Sequence, residues 1–195
     1  MNILIEMLVT LVPVIAAGVL NMVFVKTSWL NRFKTPIDRG KVLKDGKRLF
    51  GDNKTWKGFW GMVVLTAFTA MIWGWISAGS DSLMENNLLY RSYHNCLAFN
   101  VTIGALLGLA YVVFELPNSY FKRRRGVKAG QSPSGLRGIP YRVFDQIDSA
   151  IGVVIVIAFF WPMTVGYFLG FVAFAGIVHI VFNVLLYALK LKKEI

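Results

Sequence analysis

The chain has 195 residues, of which 56% are hydrophobic and only 16% are charged, and its mean hydropathy is +0.57. Soluble domains rarely combine such hydropathy with so few charged residues, so this composition excludes an ordinary soluble domain and indicates an integral membrane protein. The net charge of +11 raises nucleic acid as a partner, but we expect none, because the basic residues flank apolar runs long enough to span a bilayer.

Five apolar segments follow one another along the chain, and each is a candidate for a membrane span of about 20 residues. They cover residues 3–25, 58–78, 97–116, 141–161 and 163–189. Backbone in lipid is satisfied only in helices or closed barrels, and these runs are too long for barrel strands. We therefore predict an all-α integral membrane protein, built as a single membrane domain over residues 1–195 with five transmembrane helices.

The fourth span is the least obvious of the five, because its continuous apolar run covers only residues 149–161. As a helix that run is only about 20 Å long at 1.5 Å per residue. Extending the helix back to Tyr141, directly after Pro140, restores a full span, and proline is favoured at the first helical position. Asp145 and Asp148 then lie inside the helix, at the membrane boundary.

The Lys and Arg residues predict the orientation of the chain. Loop 26–57 carries ten of them and loop 117–142 carries seven, whereas loop 79–96 carries only Arg91. The positive-inside rule therefore places loops 26–57 and 117–142 and the C-terminus in the cytoplasm, and the N-terminus outside. We expect a multi-pass protein of the cell membrane whose polar cavity faces the cytoplasm.

The first span has no basic flank and no small-residue cleavage site, so we expect it to be retained.

The strongest chemical signal is the pair Asp145 and Asp148, because residues three apart share one face of a helix. Carboxylates beside hydrocarbon are costly and usually functional. Complementing the helix dipole is the ordinary alternative, but one acid would suffice for it, and two repel each other unless a cation joins them. Carboxylates suit Mg²⁺, which commonly accompanies nucleotide phosphates. The pair therefore predicts a magnesium site.

Both basic loops contain candidate phosphate-binding groups. In the first loop Lys47, Arg48, Lys54 and Lys57 can neutralise phosphate oxygens. In the second, Asn118 and Ser119 are hydrogen-bonding groups beside the cationic cluster 122–125, which includes Lys122 and Arg123. Lys54-Thr55 is similar to the end of a P-loop, but the glycine spacing is absent and no strand precedes it, so we reject a P-loop. The alternative for both loops is that they only fix topology and attract anionic lipid.

The motif Ser119-x-x-Lys122-Arg123-x4-Lys128, followed by Asp145-Gln-Ile-Asp148, resembles the signature of the CDP-diacylglycerol synthases, the phosphatidate cytidylyltransferases. That signature reads S-x-x-K-R-x4-K-D, then a glycine pair and D-R-hydrophobic-D. The first loop contains P-x-D-x-G, D-G-x-R-L-x-G and K-T-x-x-G-F, and is more similar to the shorter CDP-archaeol synthase branch. The chain departs from the longer pattern at Ala129, at Tyr141-Arg142 and at Gln146.

The resemblance implies transfer of a cytidylyl group from CTP to a membrane lipid phosphate, with release of pyrophosphate. It implies that Asp145 and Asp148 are catalytic and hold Mg²⁺, and that Lys122 and Arg123 are also catalytic. The implied nucleotide- and phosphate-binding residues are Arg48, Lys54, Thr55, Lys57, Asn118, Ser119 and Lys128. The acceptor is a phosphatidate or an archaeal-type ether lipid phosphate, since spacing does not reveal the tails.

Two other functions fit parts of the pattern. Enzymes of the CDP-alcohol phosphotransferase type show D-x2-D-G-x2-A-R, which the residues after Asp148 do not match. A non-enzymatic transporter or lipid-binding scaffold would use the basic loops for topology alone. The sequence also leaves the oligomeric state open, with a homodimer as one alternative.

Overall fold

The computed structural model describes residues 2–131 and 138–188. The predicted parts at 132–137 and in the C-terminal tail, 189–195, lie outside the described residues. The described chain forms six α-helices and one short 3₁₀ turn, Asn31–Phe33. The helices are α1 Ile3–Lys26, α2 Trp56–Ala78, α3 Asp81–Asn86, α4 Leu97–Arg124, α5 Ile139–Phe160 and α6 Val165–Ala188. All except α3 are long and apolar enough to cross a membrane, which confirms the predicted fold class.

Helix α4 is longer than the apolar segment from which the third span is predicted, which ends at Leu116, before Pro117. The helix instead continues to Arg124, eight residues further. Proline removes its own N–H bond and crowds the carbonyl four residues earlier, but transmembrane helices tolerate it where neighbours support the backbone. The added turns are held by polar contacts to α5 from Asn118 and Lys122. The first eight residues of the predicted loop 117–142 are therefore helical.

The helices pack closely at glycines, which have no side chain to hold the backbones apart. A Cβ atom on Gly104 would lie 2.6 Å from the Thr66 carbonyl oxygen of α2, and one on Gly108 would lie 2.8 Å from that of Met62. Helix α5 approaches α4 in the same way at Gly152, where a Cβ would lie 2.6 Å from a ring carbon of Phe114. Small residues at such positions let backbones approach within van der Waals distance.

Helix α1 is joined to α2 by hydrogen bonds around Pro13. Since proline has no N–H, the carbonyl of Val9 loses its helical donor. The indole Nε1 of Trp73 donates to that carbonyl oxygen at 3.0 Å, and Thr69 Oγ1 donates to the Pro13 oxygen at 2.8 Å. The Val9 carbonyl that the proline leaves without a helical donor is thus satisfied by α2, and the Thr69 contact adds a second bond between the two helices.

The two ends of the bundle differ in charge. Loops 27–55 and 125–131 lie together at one end, here called the basic end, where Arg124 pairs with Asp45. At the opposite end, buried Glu6 of α1 accepts from Arg91 of loop 79–96 at 2.8 Å. Tyr167 of α6 also donates to Glu6, at 3.4 Å, so this carboxylate joins three segments.

Loop 27–55 is organised around the buried carboxylate of Asp38. It accepts from the Arg48 guanidinium at 2.6 Å and from the backbone N–H groups of Phe50 and Gly51, both at 3.0 Å. Burial alone would raise the pKa of Asp38, but these bonds, with one from Gly40, hold that pKa well below its usual range. The loop is therefore a folded cap with an ionised centre.

We predict that Gly104→Ala destabilises the protein by about 1–3 kcal/mol, because the new methyl group would meet backbone atoms of α2. Thermal unfolding in detergent measures the effect. Gly166→Ala is the matched control, because a Cβ at Gly166 has no atom within 4 Å. Equal stability of the two variants would contradict the close packing of α2 and α4.

We predict that Asp38→Asn lowers the free energy of opening loop 27–55 by about 2–3 kcal/mol, since hydrogen bonds to a charged group are lost. The folded pKa lies below the unfolded value of about 3.9, so Asp38 stabilises the loop fully above that value. This stability disappears as the pH falls toward the folded pKa. Limited proteolysis of the loop against pH measures both effects, and Asp52→Asn, whose side chain is 74% exposed, should change little. Equal resistance of the two variants to proteolysis would contradict the conclusion that Asp38 holds this loop together.

Candidate active site

Four polar residues of α4 lie on one face of the helix at spacings of three and four. They are Glu115, Asn118, Ser119 and Lys122, and they share a face because i, i+3, i+4 and i+7 do so in an α-helix. Ser119 donates its hydroxyl to the Glu115 carbonyl oxygen at 3.0 Å. The face is polar only at the basic end, beyond the apolar part of α4.

Helix α5 presents its two carboxylates to this face. The Asn118 amide nitrogen donates to Asp145 Oδ1 at 2.7 Å and to Asp148 Oδ2 at 2.8 Å. Lys122 pairs with the other oxygen of Asp145. Asp148 also accepts from the backbone N–H of Ser149 at 2.6 Å. The two carboxylates therefore converge on one point between α4 and α5.

Lys54, at the end of the first loop, reaches the same cluster and pairs with Glu115. Burial alone would lower the pKa of Lys54, but Glu115 raises it, with smaller contributions from Asp148 and Asp145. The net shift is upward, so the amine stays protonated. Loop 27–55 thus places a positive charge, that of Lys54, beside the carboxylates of α4 and α5.

Arg123 differs from its basic neighbours. It is 7% exposed, and it forms no salt bridge with any residue in the described part of the chain. Its Nε is buried and has no hydrogen-bond partner there. A buried cation without a paired carboxylate is costly. The arrangement therefore suits an anionic ligand that contacts the guanidinium.

These groups line one cavity of about 610 Å³ at the basic end. Three carboxylates and four Lys or Arg side chains border it: Glu115, Asp145, Asp148, Lys26, Lys54, Lys122 and Arg123. The cavity continues from this polar part into an apolar part between α1, α5 and α6. Its size and mixed lining are typical of a small-molecule site.

The structure brings most of the predicted site residues together at this cavity. Asn118, Ser119 and Thr55 line it, and Thr55 also caps α2, since its Oγ1 accepts from the Gly58 N–H at 3.2 Å. These residues therefore surround one cavity, and their catalytic and binding roles stay predictions.

Three predicted phosphate-binding residues do not line the cavity. Arg48 is engaged with Asp38 and Asp52 in the loop. Lys57 is buried and donates to the Thr27 carbonyl oxygen at 2.8 Å, so it stabilises the end of α1. Lys128 is exposed. The sequence could not separate these side chains from Lys54, because all are basic residues within a few positions of a glycine.

Sequence reasoning missed Glu115 and the contribution of α6. Asn183 donates to Gln146 Oε1 at 2.7 Å, and His179 Nδ1 lies 3.2 Å from the Gln146 carbonyl oxygen. Gln146 stands between the two carboxylates, so α6 supports the segment that carries them. The available signal was the i, i+4 spacing of His179 and Asn183 on an otherwise apolar helix.

The donor set fits magnesium bound together with phosphates. No group of three or more His, Cys, Asp or Glu side chains that could hold a metal occurs among the described residues. The oxygens of Asp145 and Asp148 nevertheless approach the same amide nitrogen, so both can reach one small ligand. Mg²⁺ is usually held by one or two carboxylates, with water and substrate phosphates completing its shell. Two converging carboxylates match that pattern.

Comparison with known proteins gives consistent matches along the chain. A family model described as CarS-like, CDP-archaeol synthase, matches residues 1–195. The CDP-archaeol synthase of Pyrobaculum islandicum is 32% identical over 166 residues, covering 84% of this chain and 85% of that protein. The CDP-archaeol synthase of Pyrococcus abyssi is 30% identical over 161 residues, covering 81% and 82%.

A solved structure shares the fold. It is described as an intramembrane enzyme for archaeal membrane lipids biosynthesis, and it superposes with a TM-score of 0.62 at 22% identity. The match covers 94% of this chain and 95% of that one. The predicted resemblance is confirmed by the family model and by the curated relatives: the chain belongs to the CDP-archaeol synthase family.

Proposed function

We propose that the protein is a CTP-dependent cytidylyltransferase that converts a membrane lipid phosphate to a CDP-lipid and releases pyrophosphate. The observation that carries the proposal is the single cavity where Asp145, Asp148 and the buried cations meet an apolar groove. The relatives are named CDP-archaeol synthases, which supports an archaeol-type acceptor. Those names also disfavour the transporter and the scaffold.

In this reaction an oxygen of the acceptor phosphate attacks the α-phosphorus of CTP in line. A bond forms between that oxygen and phosphorus, while the bond to the pyrophosphate oxygen breaks. The second pKa of a phosphate monoester is about 6, so the acceptor is mostly ionised at neutral pH and needs no protein base. The protein supplies positioning and charge neutralisation.

The roles of individual residues follow from their contacts. Asp145 and Asp148 would hold Mg²⁺ with the triphosphate, and the ion would supply charge neutralisation for the leaving pyrophosphate. Asn118 orients both carboxylates through its amide. Arg123 offers its buried guanidinium to phosphate oxygens. Lys54 and Lys122 balance the carboxylates and add positive charge at the polar end of the cavity.

We propose that the basic end lies in the cytoplasm, with the N-terminus outside and the C-terminus inside. Loop 26–57 carries ten Lys and Arg residues, whereas loop 79–96 carries one. The positive-inside rule then places the cavity where CTP is available. Cysteine labelling from each side of sealed vesicles tests this orientation, with native Cys96 expected to react from outside.

We predict that Asp145→Asn and Asp148→Asn each lower the rate of pyrophosphate release from CTP by about 10²-fold or more. Loss of one carboxylate removes charge that would hold the ion, so both variants should also require more Mg²⁺. Activity is measured with purified, folded protein across a magnesium titration. Asp52→Asn in the exposed part of the loop is the control. Near-normal rates in both site variants would refute the metal assignment.

We predict that Arg123→Ala lowers turnover by about 10²- to 10³-fold, whereas Arg125→Ala changes it less than threefold. Arg123 is buried at the cavity, while Arg125 is exposed and lies 3.4 Å from the Tyr141 hydroxyl. Lys122→Ala should also impair turnover, since Lys122 pairs with Asp145. Cytidylyl transfer is compared at matched expression. Equal, mild losses of activity in all three variants would mean that the basic cluster 122–125 only fixes the membrane topology.

A further inference from the structure

The apolar part of the cavity forms a groove between α1 and α6. On α1 the lining residues recur at spacings of three and four, as a single helical stripe does. The apolar ones are Leu11, Val14, Ile15, Gly18, Val19, Met22 and Val25, and the polar Asn21 and Lys26 of α1 line the cavity toward the basic end. From residue 11 to residue 25 the stripe is about 21 Å long at 1.5 Å per residue. That length exceeds half of a hydrocarbon core about 30 Å thick.

Helix α6 forms the facing wall of the groove. Ala175, Val178, Phe182 and Leu186 line it at the same helical spacing. This helix packs mainly on α5 and contacts α1 less. At the end opposite the basic end, Tyr167 donates to Glu6, so the two helices are joined there. The groove between them is continuous with the carboxylates at its polar end.

Gly18 marks free space inside this groove. It lines the cavity, and a Cβ atom built on it has no other atom within 4 Å. Most glycines within the spans instead lie against a neighbour, as Gly104 and Gly152 do. Glycine costs a helix about 1 kcal/mol relative to alanine. Close helix packing therefore does not account for a glycine at this position.

Resting on the proposed function, we propose that the groove between α1 and α6 binds the apolar chains of the acceptor lipid, and that Gly18 sets its width. The phosphate of that lipid then lies at the polar end, beside the groups that would hold CTP. A nucleotide has no apolar chain to fill some 20 Å of groove. A membrane lipid does, and both helices border the bilayer through which it would arrive.

The test compares Gly18→Leu with Gly170→Leu. Gly170 is also helical and has open space at its Cβ, but it does not line the cavity. Two acceptors are used with CTP: an ether lipid phosphate with full-length isoprenoid chains, and a soluble analogue whose chains are too short to reach Gly18. Thermal unfolding is measured for both variants, and Gly18→Ala provides a smaller obstruction.

We expect Gly18→Leu to lower kcat/KM for the full-length acceptor about tenfold or more. Its kcat/KM for the short acceptor and its KM for CTP should stay within threefold of wild type, and Gly18→Ala should be intermediate. Gly170→Leu should match wild type with both acceptors. Equal losses with both acceptors, or no difference between Gly18→Leu and Gly170→Leu, would overturn the chain-binding groove. Failure of the wild type to release pyrophosphate from CTP would instead refute the proposed function.

Discussion

The whole site depends on placing two carboxylates, Asp145 and Asp148, in one apolar helix, α5, near the basic end of the bundle. Charge in a membrane-spanning helix is expensive unless it is paired and hydrogen-bonded. The pairing comes from α4, whose Asn118 bridges both groups and whose Lys122 neutralises one. Helix α4 can supply these groups only because it continues past Pro117. The loop cap and α6 then complete the surroundings of the pair.

The charges at the polar end alternate in sign, and several of them are neutralised within the protein. Lys54 pairs with Glu115 and Lys122 with Asp145, so four of the charges already have partners within the protein. Arg123 is buried at the cavity and has no salt bridge in the described part of the chain. Binding a polyphosphate would therefore add the counter-charge that Arg123 lacks, while exchanging partners around the carboxylates.

Composition and spacing were sufficient to predict the five-helix fold and the carboxylate pair, because both follow from local periodicity. The course of α4 could not be predicted, since tolerance of Pro117 depends on contacts with a helix distant in sequence. Nor could sequence separate Lys54 from Lys57: one reaches Glu115, whereas the other donates to Thr27. Such outcomes depend on how a glycine-rich loop folds, and that is set by the buried Asp38 in its centre.

The proposed reaction joins a water-soluble nucleotide to a lipid that stays in the bilayer, so the two substrates need different surroundings within reach of one phosphorus atom. A site fully inside the membrane would exclude the triphosphate, and one on the loops would require the lipid to leave the bilayer. The cavity avoids both costs because its polar end lies beside the basic loops and its groove follows α1 into the apolar layer. The N-terminal half of α5, which carries Asp145 and Asp148, lies where these two parts meet. That position allows phosphate attack while the lipid chains remain in apolar surroundings.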